Sequence, residues 1–475
     1  MPRTEIKNIC CIGAGYVGGP TMAVFAEHCK EVKIIVTDVN ERRINSWNDP
    51  DIGNLPIYEP GLDQIIDKCR DKNLFFSTNI QESIANADMI FISVNTPTKT
   101  KGVGAGKASD LRWVEASARQ IAEFAKGHTI VVEKSTLPVR TAKTIKKILS
   151  NSQHNDFKER NKTFSVLSNP EFLSEGNAIQ DLEYPDRVLI GGDDEFAIEL
   201  LADLYKNWVP NEKIIRTSIW SSELSKLTAN AFLAQRISSI NAIAALCEET
   251  EADVKEVEKA IGLDSRIGRK FLSPGPGFGG SCFQKDILNL VYLCEYYNLN
   301  QIASYWEQVV IINNWQKDRI SKLIVNSLFG TVSNKKLAIL GFAFKANTND
   351  TRNSPSIKIC KDLLDEGALL SIYDPKVGEK QIKNDLTTSI AEVDYDSSKA
   401  RFVYSKSLDD AIDGSHAILI LTEWKEFKEI KWDHFFRKMK RPSWVFDTRS
   451  VVDVGTLEKI GFNVWQIGNC SQSNP

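Results

Sequence analysis

A short strand-like run, Asn8–Ile12, breaks into Gly13-Ala14-Gly15-Tyr16-Val17-Gly18 and then opens a helical stretch. No other feature of the chain narrows its possible folds as far. Gly13 can turn the chain sharply after the strand, Gly15 admits a pyrophosphate against bare backbone, and Gly18 lets the helix approach the strand. The helix N-terminus that follows offers unpaired N–H groups and a positive dipole end to phosphates. A second run, Lys33–Thr37, ends at Asp38, about 20 residues past the last glycine, where a carboxylate receives a ribose 2′-hydroxyl. The pattern predicts a dinucleotide site. Asp38 favours NAD over NADP, because a 2′-phosphate would meet like charge; Arg43 either flanks the adenosine or weakens that preference.

The same alternation continues. Candidate strands at Met89–Val94, Thr129–Val132, Phe164–Leu167 and Val188–Ile190 are separated by helical stretches, which is how a doubly wound parallel sheet reads in sequence. From Trp220 to Ala260 the chain then has neither Gly nor Pro, with Leu224, Leu227, Ala231 and Ala234 at helical spacing. A long central helix is expected, with a second starting between Glu248 and Ala260. It is either a dimer contact or an intramolecular spacer. After a Gly/Pro-rich break at Ser273–Gly280 and a helix from Ser281 to Tyr297, strands resume at Lys336–Leu340, Leu369–Tyr373, Ala417–Leu421 and Trp444–Phe446. The expected architecture is α/β. Two Rossmann-like doubly wound domains, residues 1–216 and 329–475, are joined by a helical region at 217–328, and a short polar tail starts at Ser471.

Bulk properties exclude several classes. The 475 residues carry a net charge of −3, which argues against a broad nucleic-acid surface. No apolar run approaches the roughly 18 residues of a membrane span, and the residues ahead of the first strand are not expected to act as a signal peptide. Nine scattered cysteines, none spaced C-x-x-C, fit free thiols in a reducing compartment such as the cytoplasm and give no metal signature.

One thiol stands apart. In Gly277-Phe278-Gly279-Gly280-Ser281-Cys282-Phe283-Gln284-Lys285-Asp286, Cys282 falls where a helix starts, and helix N-termini favour the thiolate. Asp286 lies one turn on, where a carboxylate would oppose ionisation of the thiol, so its expected partner is a water or a lysine. Lys226 and Asn230, at i and i+4, put an ammonium and an amide on one helix face, a pair able to hold an oxyanion. The histidines (His28, His128, His154, His416 and His434) fall outside these segments, leaving Lys, Glu and Asp to move protons.

With these segments in place, the chain resembles the UDP-glucose/GDP-mannose dehydrogenase family over nearly its whole length. The matching segments, in order, are the glycine turn, Leu55-Pro56-Ile57-Tyr58-Glu59-Pro60-Gly61, Ser93-Val94-Asn95-Thr96-Pro97-Thr98, Glu133-Lys134-Ser135-Thr136 and Ser168-Asn169-Pro170-Glu171-Phe172-Leu173-Ser174-Glu175-Gly176. The Lys226/Asn230 helix, the Cys282 loop, Gly341-Phe342-Ala343-Phe344-Lys345 and Tyr373-Asp374-Pro375 follow. The resemblance implies an NAD domain, a dimerising helical region and a UDP-binding domain, in a homo-oligomer of at least two chains. It implies that Cys282 is the nucleophile, with Lys226 and Asp286 managing the C6 oxygen and the hydrolytic water, Asn230 an oxyanion partner, Glu171 a base and Thr136 near the water.

The NAD contacts it implies are Gly13, Gly15, Tyr16, Val17, Gly18, Asp38, Arg43, Val94, Asn95, Thr96, Ser135, Thr136, Glu175, Cys282, Lys285 and Arg352. Those to substrate are Glu171, Phe172, Leu173, Lys226, Asn230, Phe271, Phe278, Gly279, Phe344, Lys345 and Arg449, with Arg266 reaching from a neighbouring subunit. The activity implied is four-electron oxidation of a nucleotide-sugar C6 alcohol, with UDP-glucose favoured and UDP-N-acetylmannosamine or GDP-mannose as alternatives. A simple hydroxyacid dehydrogenase using Lys226 alone would leave the Cys282 loop without purpose, and the intact Cys282, Lys226 and Asp286 set speaks against a silent scaffold. Three segments depart from the family pattern: Ser273-Pro274-Gly275-Pro276, Thr448 beside Arg449, and an insertion at Asp49–Asn54.

Overall fold

A computed structural model describes residues 5–136, 141–151, 162–387 and 401–469; His154 and the tail from Ser471 lie outside them. The chain folds as two compact units, residues 1–229 with 288–299, and 230–287 with 300–475. The helical region expected at 217–328 is therefore shared: the helices Ile219–Glu249 and Phe283–Tyr296 each begin in one unit and end in the other.

The first unit is built on eight strands: β1 (Asn8–Ile12), β2 (Lys33–Thr37), β3 (Leu74–Ser77), β4 (Met89–Ile92), β5 (His128–Glu133), β6 (Thr163–Ser168), β7 (Val188–Gly191) and β8 (Ile214–Thr217). They lie in the order β3-β2-β1-β4-β5-β6-β7-β8. The first six strands in sequence are parallel; β7 meets β6 antiparallel and carries β8 with it. A sheet covered by helices on both faces must be apolar at every strand position. Alternation sends Ile9, Cys11, Met89, Phe91, Ile130 and Val132 into one core. Cys10, Ile12, Ile90, Ile92 and Val131 enter the core on the opposite face. Each fully buried side chain of this size contributes about 1.5–3 kcal/mol.

The second unit repeats the plan. Strands β9 (Lys336–Leu340), β10 (Leu369–Tyr373), β11 (Phe402–Tyr404), β12 (Ala417–Ile420), β13 (Trp444–Asp447) and β14 (Asn463–Gln466) form one sheet in the order β11-β10-β9-β12-β13-β14, parallel throughout. Ile240, Ala244 and Cys247 of the long helix pack into its core. In both sheets the strand order reverses beside the first strand, between β1 and β4 and between β9 and β12. Open α/β sheets bind ligands at the carboxyl ends of strands at such a switch point.

The 31-residue helix Ile219–Glu249 spans about 46 Å at 1.5 Å per residue, and a separate helix, Val254–Gly262, follows as expected. A further 28-residue helix, Asn300–Ser327, went unrecognised in the sequence. Its buried face carries Asn313, Gln316, Lys317 and Ser321 among the aliphatics, which blurs the apolar stripe.

Candidate active site

At the switch point of the first sheet, Gly13 has φ +112° and packs against the Ser93 carbonyl just past β4, so a side chain there would collide with backbone. The Gly13 N–H donates to the Thr37 carbonyl (2.7 Å), and Trp47, fully buried, donates its indole N–H to the Ala14 carbonyl (3.0 Å). Asp38 accepts from the Ala14 N–H (3.0 Å), the Asn40 N–H (2.8 Å) and the Arg43 guanidinium (2.9 Å). Asp38 thus shapes the glycine turn as well as standing where a ribose would lie, and Arg43 is its ion-pair partner. A Cβ on Gly15 would meet only open space, and the helix Gly18–His28 has Val17 at its N-cap with no side-chain cap. An open cradle above uncapped N–H groups fits a dinucleotide pyrophosphate. Beside it, Ser135 donates to the Val94 carbonyl (2.7 Å) and Thr96 donates to the Thr136 carbonyl (3.1 Å). The Val94-Asn95-Thr96 and Ser135-Thr136 turns are thereby tied together.

The segment after β6 supplies a second cluster in the same unit. Glu59 accepts from the Gly176 (2.7 Å) and Ala178 (3.1 Å) N–H groups, and Asp181 accepts from the Ser174 N–H (2.8 Å). The loop so held aims Glu171 at Lys226: the carboxylate accepts from the Leu173 N–H (2.9 Å) and pairs with the ammonium at 3.0 Å. Both side chains are 4% exposed, so the pair is removed from water. The Phe172 ring lies 5.4 Å from Lys226 Nζ and carries Arg187 on its face at 3.8 Å. Glu175 is half-buried in the same loop.

In the second unit, Cys282 immediately precedes the helix Phe283–Tyr296, and its carbonyl accepts from the Asp286 N–H at 2.9 Å. Its sulfur is partly exposed and lies 3.5 Å from Ser281 Oγ. Asp286, buried one turn on, accepts from Asn230 (2.6 Å) and pairs with Lys285 (2.8 Å), the lysine partner anticipated for it. The preceding loop is gripped by residues absent from the sequence reading. Asn313 accepts from the Phe278 N–H (2.7 Å) and donates back to its carbonyl (3.2 Å). Asn241 accepts from the Gly275 N–H (2.8 Å) while Gln316 donates to the Gly275 carbonyl (2.9 Å). Buried amides on an otherwise aliphatic helix face are the signal that could have found them. Phe344 and the Arg352–Asn353 backbone press against Gly279 and Gly280, so neither position has space for a side chain.

The second sheet's switch point repeats the wiring of the first. Gly341, with φ +93°, sits against Thr422 past β12, and Asp374 past β10 accepts from the Phe342 (2.7 Å) and Ala343 (3.0 Å) N–H groups. Asp374 also receives the Lys376 and Val377 N–H groups and the Trp424 indole, so it is wholly structural. Arg449 donates to the Phe344 (2.9 Å) and Leu421 (3.0 Å) carbonyls, and Lys345 extends over the Phe344 ring at 5.6 Å. Thr448 is buried with its hydroxyl on the Ile420 carbonyl (2.7 Å). Phe271, 38% exposed at φ +62°, stands edge-on to Phe283. Arg352 grips Asp350 (2.6 Å), and Arg266, 87% exposed, pairs with Asp264 (2.6 Å).

A doubly wound unit with an open pyrophosphate cradle, joined in one chain to a thiol at a helix start, defines an NAD-dependent oxidoreductase. Residues 7–209 match the NAD binding domain, 220–315 the central domain and 338–454 the UDP binding domain of the UDP-glucose/GDP-mannose dehydrogenase family, and the chain belongs to that family. It is 56% identical over 471 residues to a UDP-glucose 6-dehydrogenase of Bos taurus, covering 98% of this chain and 93% of the relative. UDP-glucose 6-dehydrogenase 3 of Arabidopsis thaliana is 54% identical over 478 residues, covering 97% of each. Among solved structures, a UDP-glucose dehydrogenase from Pyrobaculum islandicum superposes with a TM-score of 0.81 at 28% identity, covering 98% of this chain and all of that one.

Proposed function

We propose that the chain oxidises UDP-glucose to UDP-glucuronate, consuming two NAD⁺ and one water, with Cys282 holding the sugar covalently between the two oxidations. The observation that carries this reading is the partly exposed Cys282 at a helix start, beside a buried Asp286 already organised by Asn230 and Lys285. The Gly13–Gly18 turn would hold NAD⁺, which when bound supplies the acceptor for the C6 hydride of each oxidation. In the first, the Glu171–Lys226 pair takes the hydroxyl proton as the alcohol becomes an aldehyde. The Cys282 thiolate then bonds to C6, and the resulting alkoxide takes a proton to give a thiohemiacetal. Loss of hydride and of that proton leaves a thioester. Water adds, the C–S bond breaks, and the thiolate returns as the carboxylate forms. Covalent capture gives the aldehyde carbon a hydride to donate without release and hydration.

Lys226 and Asn230 would stabilise the successive oxyanions, where losing one donor costs about 2.7–4 kcal/mol. Thr136 and Asp286 order the water. Phe172, Leu173, Phe271, Phe278, Gly279, Phe344, Lys345 and Arg449 bind the UDP-sugar, with Arg266 contributed by another subunit. Residues 1–216, 217–328 and 329–475 serve as cofactor, dimerisation and UDP-sugar regions. Apolar residues exposed on the long helices, Phe232 (54%) and Leu246 (58%) among them, support a homodimer as the smallest assembly. Free buried thiols support a cytoplasmic setting. No helix among the described residues is long and apolar enough to cross a membrane.

NADH absorbance measured against a panel of nucleotide sugars tests the reading. UDP-glucose should yield two NADH per sugar consumed. One NADH per sugar would reduce the protein to an alcohol dehydrogenase, and preference for UDP-N-acetylmannosamine or GDP-mannose would reassign its substrate.

A further inference from the structure

Lys134 belongs to the Glu133-Lys134-Ser135-Thr136 segment, yet the reaction as described does not use it. It is 3% exposed and sits directly past β5. Its ammonium donates to Asn169 Oδ1 (3.0 Å) and to the Tyr205 hydroxyl (3.1 Å), and lies 5.8 Å from the centre of the Tyr205 ring. Tyr205 in turn donates to Asn169 Oδ1 (2.7 Å), and Asn169 donates to the Leu189 carbonyl (2.8 Å). Every contact of the ammonium is thus neutral. A buried ammonium is costly unless a negative charge answers it. The charged and titratable groups facing Lys134 are Glu171 on the segment after β6, Lys226 on the long helix and the Cys11 thiol on β1, with Asp38 beyond Cys11. Glu171 is the carboxylate among them that acts directly on Lys134, and it is already in contact with Lys226.

We infer that Lys134 is a positioning residue for the proton-handling pair: its buried charge, fixed by Tyr205 and by Asn169 two residues before Glu171, sets how readily Lys226 gives up a proton beside Glu171. Glu171 holds Lys226 in contact at 3.0 Å and acts on Lys134 through space, so two ammonium charges draw on one carboxylate. Each therefore receives less of its stabilisation than a simple ion pair would give, and Lys226 releases its proton more readily for the next substrate hydroxyl. Burial lowers the affinity of Lys134 itself, to a pKa of about 8, while Glu171 pulls the other way, so the charge persists at neutral pH. A buried charge acting on a neighbouring buried ion pair can move its titration by about one pH unit. The inference rests on the reading that this pair accepts the C6 proton.

The test is the pH profile of kcat with UDP-glucose and saturating NAD⁺ in wild type, Lys134→Met, Lys134→Arg and Asn169→Asp. Removing the charge should move the acid limb of Lys134→Met to higher pH by on the order of one unit, lowering the rate near neutrality and restoring it in alkali. Lys134→Arg should keep the wild-type limb. Asn169→Asp places a carboxylate against the ammonium, should shift the limb in the same direction, and carries the test if Lys134→Met does not fold. A limb left in place by both neutralising variants overturns the inference, as does a uniform loss of rate at all pH values. Failure of the wild-type enzyme to form UDP-glucuronate would instead remove the underlying reading and leave the variants irrelevant.

Discussion

Eight cysteines lie among the described residues, and their surroundings divide them. Seven are buried, and burial pushes the Cys11 thiol up to about 12 and that of Cys29 to about 11, which leaves them inert at neutral pH. Cys282 is the partly exposed member of the set. Glu133 presents the opposite problem. It is buried beside Glu223, whose carboxylate accepts from the Ala142 N–H (2.9 Å), and burial together with that neighbour raises its pKa well above the carboxylate range. The folded chain therefore keeps a proton on Glu133 that the unfolded chain releases above about pH 4.3. Unfolding then sheds protons, so this group makes stability fall as pH rises. Glu133→Gln keeps a donor toward Glu223 and removes the titration. Thermal melts should show the variant more stable than wild type at pH 7.5, with the gain vanishing near pH 4.5; an equal gain at both pH values would discount the shared proton.

Among elements, the loop ahead of Cys282 shows how much of the site is held by side chains that touch no substrate. Asn313 satisfies both backbone polar groups of Phe278. Asn313→Ala orphans them, at about 1–3 kcal/mol for each buried group left unpaired. It should raise the KM for UDP-glucose while leaving NAD⁺ affinity unchanged, as separate titrations would show; a matching loss of NAD⁺ affinity would mean the loop serves both. The elements also show where sequence legibility stopped. The ten interior strands were visible because sheets buried on both faces demand unbroken apolar runs. The four that were not, β3, β8, β11 and β14, are the four sheet edges. They are three or four residues long, and β8 reads Ile-Ile-Arg-Thr with its middle exposed. The reversal of β7 was equally silent, because strand direction leaves no mark on side-chain pattern. Cys282 stood out because a thiol in a glycine loop at a helix start is chemically specific, and Lys226 and Asp286 drew their roles from the family resemblance, whereas Asn313, Asn241 and Gln316 look like ordinary helix residues until the loop they hold is seen.

At the scale of the molecule, one wiring diagram serves twice. In each sheet a glycine past the first strand abuts the residue past the fourth, and an acid past the second strand accepts the N–H groups of the glycine turn. Asp374 spends all its acceptors on protein, and Asp38 shares its own with Arg43, as suits two sheets with different nucleotides to hold. The long helices expose apolar side chains that a second copy would cover. If the proposed dimer forms through them, Phe232→Asp should yield monomer in light scattering where wild type gives dimer, and monomeric wild-type protein would refute that assembly. The account turns on whether carbon bonds to sulfur during the reaction. The most direct test is the yield of UDP-glucuronate from Cys282→Ala supplied with UDP-glucose and excess NAD⁺. The variant should bind NAD⁺ normally and form no UDP-glucuronate; turnover near the wild-type rate would show that the thiol never captures the aldehyde.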